Sequence, residues 1–223
     1  MNLYNISHGI NNINNIENTI YISLGNNCSI AYHIRKLGLK SSDFPFDWTQ
    51  TPDIDMLSSL IQHNCKDLFS NIILDGTHFA NLIQNDWNEK KYIIIKIKNF
   101  KYNININNEL ASFIYSQQIT LNSIKKIYKK RINNFFKIMT DSTKYKKLYR
   151  IGNLSEITKF NNLNKVFISK GFTNYTIYFV PDNLNIITDN NYIPIIDISE
   201  LNDSWKKNEY NWINIFNDPP HNL

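Results

Sequence analysis

The chain has 223 residues, is 42% hydrophobic and 13% aromatic, and carries a formal charge of +5 with two cysteines. Two cysteines exclude a disulfide-stapled mini-domain and a cysteine-based metal cluster, and no run approaches the roughly 18 apolar residues of a membrane span. One domain with a substantial core is the expectation.

The first 18 residues, in "MNLYNISHGINNINNIENT", are Asn-rich and weakly patterned, and they read as a loose N-terminal arm. They lack the basic start and apolar stretch of a signal peptide, so the expected location is cytoplasmic. "TIYISLG", Thr19 to Gly25, is a short β-branched run ending in glycine, as a buried strand does. "CSIAYHIRKLG" follows with Ile30, Ile34 and Leu37 on one helical face and Gly38 where a C-terminal cap belongs. "SSDFPFDWTQTPD" is turn-rich yet holds Phe44, Phe46 and Trp48, so it must fold back on the domain. Asp53 then caps a second helix with Ile54, Leu57 and Ile61 on one face.

"LFSNIILDGTHFANLIQND" and "KKYIIIKIKNFKYNINI" read as strands. In "LNSIKKIYKKRINNFFKIMTDS" the positions Ile124, Ile127, Tyr128, Ile132, Phe135 and Met139 form an apolar stripe, with the lysines mostly off it. "KKLYRIG" is a strand, "SEITKFNNLNKVFISKG" a helix capped by Ser155 and closed by Gly171, and "NYTIYFVPD" a strand stopped by Pro181. "NLNIITD" and "YIPIIDI" suggest an edge hairpin, and the tail from Asn202, with Trp205, Trp212 and Phe216, is expected to pack on the domain. The order predicts a single α/β domain over 19–201 and an aromatic tail over 202–223. Its sheet should be mixed and partly parallel, flanked by helices.

The positive charge sits largely in "KKIYKKR" and "KYKKLYR", amid the Asn, Ile, Lys and Tyr that an AT-rich genome imposes. A solvated helix face explains it better than a nucleic-acid footprint. Cys28 is the distinctive candidate. At the first turn of a helix, unpaired N–H groups and the macrodipole favour thiolate over thiol. Asn26 and Asn27 before it are candidate oxyanion donors. A small cysteine packed at a strand–helix corner is the simpler alternative. His33 lies about 140° around the helix from Cys28 and cannot share its face. His63 reads as a surface residue and His221 falls in the tail, which leaves His78 as the candidate base. Asp47, between large aromatics, must be paired or hydrogen-bonded; it orients a histidine, binds substrate, or staples the loop. Trp48 is a candidate binding surface. Arg150, near a strand end, is a candidate anion binder or salt-bridge partner. Cys65 has no such setting. No cofactor or metal motif is present, and oligomeric state is open.

"SLGNNCSIAYHIRKLGL" followed by "FPFDW" resembles the opening of a family of unknown function described as papain-like cysteine peptidases. "YKKRINNFFKIM" is similar to that family's Tyr-x-Arg-Arg-Ile-x-Arg-Phe helix, and "KKLYRIG" to its next strand. The resemblance implies that Cys28 is the nucleophile and that Asp47 belongs to the site. One departure stands out: Lys98, Asn99 and Phe100 occupy the place of the family's His-Asp-Phe, so the general base is displaced or missing. The expected function is a thiol-dependent hydrolase or acyl transferase acting on a small-molecule, peptide or glycan substrate. The alternative is a ligand-binding or transferase module of glycan or sugar-nucleotide metabolism, its helix N-terminus holding an anion.

Overall fold

The computed structural model describes residues 4–8, 18–26, 28–51, 53–69, 72–80, 92–99, 104–110, 121–181 and 211–217. Four strands make the first sheet: β1 (Tyr4–His8), β2 (Thr19–Ser23), β7 (Tyr145–Gly152) and β8 (Tyr175–Pro181), in the order β1-β8-β7-β2. The pairs β2/β7 and β7/β8 are parallel and β1/β8 is antiparallel, so the sheet is mixed and partly parallel. Tyr4–His8, inside the segment expected to be a loose arm, is thus an edge strand.

Alternation along these strands builds two cores. Ile22, Leu148, Ile177 and Phe179 face one side with helices α2 (Ile54–Gln62), α3 (Leu121–Thr140) and α4 (Phe160–Ser169). Tyr149, Ile151, Tyr178 and Val180 face the other with α1 (Ser29–Lys36) and α5 (Trp212–Asn217). The result is an α/β/α sandwich. Within α3, Ile124, Tyr128, Phe135 and Met139 are buried, while Lys125, Lys126, Lys129, Lys130 and Lys137 are exposed. In α5, Trp212, Ile215 and Phe216 are buried.

A second, wholly antiparallel sheet is added to the expected one: β3 (Thr49–Gln50), β4 (Ile72–Ala80), β5 (Tyr92–Asn99) and β6 (Ile104–Leu110), in the order β3-β6-β5-β4. The stretch read as one long strand, "KKYIIIKIKNFKYNINI", is therefore β5 and the start of β6. Between Leu74 and Thr77 the pairing of β4 slips by one residue at Asp75–Gly76, a bulge separated from His78 by Thr77.

Two helix boundaries differ from expectation in an informative way. The segment after β7 begins with a 3-10 stretch, Leu154–Lys159, and its cap is Asn153, whose side chain accepts from the Ser155 N–H at 3.2 Å; Ser155 itself does not cap. Asp53 caps α2 as its position suggests, accepting from the Asp55 N–H at 2.9 Å. The suggested hairpin of "NLNIITD" and "YIPIIDI", together with Asn27, Phe100, Trp205 and His221, lies outside the described residues.

Candidate functional site

The chain leaves β2 through Leu24 and enters α1 at Cys28, which stands at the N-cap position. This turn requires left-handed backbone at Gly25 (φ 79°) and Asn26 (φ 68°). A Cβ on Gly25 would sit 2.7 Å from Thr51 Oγ1 and 2.8 Å from Thr49 Oγ1, so the turn is pressed against the end of the Phe-Asp-Trp loop. Asn26 completes the attachment. Its N–H donates to Thr51 Oγ1 at 3.0 Å, and its side-chain amide donates to the Ile151 carbonyl at 2.8 Å. One N–H of that amide is thereby engaged with β7, so Asn26 positions the turn.

Arg150 explains why the turn is rigid. It is fully buried. Its Nε donates to Glu156 Oε2 at 2.8 Å, one terminal nitrogen to the Leu24 carbonyl at 3.3 Å and Thr51 Oγ1 at 3.0 Å, and the other to the Thr51 carbonyl at 2.7 Å. Four of the five guanidinium donors are thereby engaged within the protein. Burial lowers the Arg150 pKa and Glu156 opposes that shift. The salt-bridge reading of Arg150 holds in place of the anion-binding one: it clamps β2, β7 and the loop together beneath Cys28.

Asp47 is buried and accepts from the Phe44 N–H at 2.9 Å, with Lys40 Nζ 3.6 Å away. Burial raises its pKa, against Lys40, the Phe44 hydrogen bond and Arg131. Its carboxylate closes the loop on itself, which is the staple among the three roles open to it. Trp48 is buried under the Arg35 guanidinium, 5.2 Å from the ring centre, and offers no open face to a ligand. His33 stacks on Trp212 of α5, with ring centres 4.6 Å apart. His63 is exposed at the end of α2. Cys65 is buried, and burial pushes its thiol up to about 12, against the weaker pull of Lys170.

The register of the second sheet bears on the missing base. Gln50 pairs with Asn105, and Asn105 with Lys98, so Lys98 stands in the row that starts beside the candidate turn. His78 pairs with Ile94 and Ile94 with Glu109, three residues along from Ile106, the partner of Thr49. Strand spacing puts the His78 backbone about 14 Å across a flat sheet from β3, and about 10 Å along it. The place level with the site belongs to Lys98 and Asn99.

Two residues that the sequence reading passed over as helix stripe and charge also belong here. Tyr128 and Arg131 of α3 face the Phe-Asp-Trp loop: Arg131 lies 5.1 Å from the Tyr128 ring centre and 3.6 Å from Asp43. Asp43 is also paired with Lys40 and, at 3.5 Å, with Arg35. Burial raises the Tyr128 pKa. Arg131 opposes that rise, while Asp47 and Cys28 add to it. Among the described residues no group of three or more His, Cys, Asp or Glu is placed to hold a metal ion. No described helix is long and apolar enough to cross a membrane.

Comparison with known proteins returns one family model, described as "Putative papain-like cysteine peptidase (DUF1796)", matching residues 19–166. The chain is also similar to "Uncharacterized protein R408" of Acanthamoeba polyphaga mimivirus, 24% identical over 217 residues that cover 88% of this chain and 96% of the relative. No solved structure matches it.

Proposed function

The chain belongs to the DUF1796 family, whose model, described as "Putative papain-like cysteine peptidase (DUF1796)", covers residues 19–166, and from that premise we propose a thiol-dependent acyl transferase or hydrolase with Cys28 as its nucleophile. The observation that supports this most is the placement of Cys28. It sits at the N-cap of α1, on a left-handed turn that a buried arginine locks to two strands and a loop. The first-turn N–H groups and the helix dipole stabilise a thiolate there.

In the proposed step the Cys28 sulfur forms a C–S bond to a substrate carbonyl carbon. The carbonyl π pair moves to oxygen and returns as the leaving group departs with its bond pair. Water, or a second nucleophile, then takes the acyl group from sulfur. A papain-like peptidase uses an imidazole to protonate its amine leaving group. With Lys98 and Asn99 in the His-Asp place, the substrates favoured are thioesters or activated esters, whose thiolate or phenolate leaving groups depart as weak bases without a proton donor. Peptide bonds are the poorer substrates on this reading.

The test is the pH dependence of Cys28 alkylation by iodoacetamide, with Cys28→Ser and Cys65→Ser as controls. The expected result is reaction at Cys28 with an apparent pKa at least a unit below the ordinary value of about 8.5. A slow reaction with an unshifted pKa would make Cys28 a packing residue and turn attention to the alternative, a ligand-binding module.

A further inference from the structure

The formal charge of +5 is not spread along the chain. Residues 121–150 hold ten of its 24 Lys and Arg and one of its 19 Asp and Glu, so this stretch is net +9 and the remainder net −4. An AT-rich composition raises lysine everywhere and does not gather it in one place. The stretch covers α3, the turn after it and most of β7, and the fold sorts its cations. Arg150 is buried against Glu156, and Lys146 is buried on the carbonyls of Asp141 and Lys144. Arg131 faces Asp43 and the Tyr128 ring. Lys125, Lys126, Lys129, Lys130 and Lys137 are left on the surface.

At about 100° per residue these five lysines lie in one arc of α3, about 140° wide, on the side away from buried Ile124, Tyr128, Phe135 and Met139. Lys125 and Lys137 stand about 18 Å apart along the axis. The sequence of α3 contains no acid, and among the described residues no carboxylate lies within ion-pair distance of the five. Asp141, the acid that follows the helix, accepts instead from the N–H and hydroxyl of Thr143, at 2.9 and 2.6 Å. Solvated helix faces ordinarily interleave the two signs, and lysines four residues apart, as in Lys125/Lys129 and Lys126/Lys130, repel one another. A polyanion relieves that repulsion. Residue counts alone favour a solvated face, but a single unpaired arc does not.

Charge density and residue type narrow the partner. A nucleic-acid duplex carries one negative charge per roughly 1.7 Å of axis, so about ten phosphates span the length of the arc. Lysine, a hydrated point charge on a flexible stem, suits phosphates more than base edges. Phe136, at the edge of the arc, packs on Phe135 and Phe172, which leaves no exposed ring for an unpaired base to stack on. A bilayer surface calls for an apolar anchor beside the lysines. Among the described residues the exposed large apolar side chains, Met56, Ile168 and Ile213, stand on α2, α4 and α5.

We infer that the lysine arc of α3 docks the protein on the phosphate backbone of a nucleic-acid duplex, without regard to its sequence. The inference goes beyond the thiol reading and is independent of it, since the arc and the Cys28 turn share no residue.

The test is the fluorescence anisotropy of a labelled mixed-sequence DNA duplex, titrated with the full chain over a range of KCl concentrations. Five lysine–phosphate contacts give a slope of log Kobs against log salt of about −4.5. A scrambled duplex should follow the same curve, and the isolated strand should bind more weakly, with a slope of about −3.5. The double variant Lys126→Gln, Lys130→Gln, which keeps good helix formers, should flatten the duplex slope by about two. Its matched control, Lys66→Gln with Lys165→Gln, removes the same charge from exposed positions off α3 and should leave the slope unchanged. Should the arc variant fail to fold, Lys137→Gln alone decides, with an expected flattening of about one.

Absence of binding at low salt overturns the inference. So does a control that flattens the slope as much as the arc variant, because net charge is then the cause. A single strand held more tightly than the duplex overturns it too. Tighter binding to phosphatidylcholine–phosphatidylserine vesicles than to the duplex does the same and assigns the arc to a membrane surface.

Discussion

At the scale of single residues, the candidate site depends on side chains that never touch a substrate. Arg150 joins the Leu24 carbonyl, both Thr51 oxygens and Glu156, across sequence separations of 126, 99 and 6 residues. Removing one partner of a buried ion pair leaves the other charged without compensation, at a cost of roughly 3–5 kcal/mol. Arg150→Met is therefore expected to lower the urea midpoint by that order. Adding Glu156→Gln to it should recover a substantial part, because the orphaned carboxylate is then gone. If the double variant is no more stable than the single one, the hydrogen bonds to Leu24 and Thr51 carry the clamp, not the ion pair. Gly25 makes the same point in steric terms, since Thr49 and Thr51 occupy the space a methyl group would need. The sequence offered a salt bridge as one fate for Arg150 but named none of its partners. "YRIG" marks a strand end with an arginine in it, but a partner 126 residues away is set by strand order, which no local pattern encodes.

At the scale of elements, local signals served well wherever a period or a cap was strong. The stripe Ile124, Tyr128, Phe135, Met139 and the Asp53 cap define α3 and α2, and the left-handed glycines Gly38 and Gly171 stand just beyond α1 and α4. Tyr128 on that stripe is core, as the pattern suggests, but no periodicity reveals that its hydroxyl is buried without a hydrogen-bond partner. The second sheet was harder to read. Continuous β-branched runs identify strands but fix neither where one ends nor which it pairs with, and β3 has only two residues, inside what reads as a loop. Its register carries a prediction. Because Lys98 shares a row with Gln50, the double variant Lys98→His, Asn99→Asp should add a second inflection, near the imidazole value of about 6.5, to the pH profile of Cys28 alkylation. A profile with one inflection would mean that this row does not reach the sulfur. The single variant His78→Ala should leave the parental profile unchanged.

At the scale of the whole molecule, the fold has an unusual sensitivity to base. Burial raises the pKa of Tyr128, Tyr149, Tyr175 and Tyr178 above the ordinary 10.0. Three of these tyrosines lie on strands of the first sheet, where Tyr149 stacks on Tyr178 at 4.7 Å. Groups whose folded pKa is raised support the fold fully below their unfolded value and cease to do so as pH climbs through the folded one. Lys146 acts oppositely: burial lowers it from 10.5 to about 8, against the pull of Asp141, so its unfavourable contribution is complete below about pH 8 and fades as pH rises toward 10.5. Cys65, whose thiol burial raises from 9.0 to about 12, withdraws its support above about pH 9. Stability is thus expected to rise from about pH 8 to about pH 9, level off, and fall steeply beyond about pH 10, as urea midpoints across that range would show. Lys146→Met should flatten the rise and keep the fall. A protein whose stability declines steadily from pH 8 would contradict both assignments.

The parallel neighbours β2 and β7 have a consequence in time as well as in space. Thr19 pairs with Tyr145, and the entire antiparallel sheet is threaded between them. β7, α4 and β8 are close in the chain and can find each other early, but β2, the strand that leads into the Cys28 turn, must wait for them. On a ribosome, the cysteine emerges more than a hundred residues before the arginine that locks its turn. The nascent chain therefore passes through a long interval in which the thiol is present but its helix-capped, clamped setting is not. Reactivity of the kind proposed here would switch on only after Arg150 has emerged and β7 has joined β2.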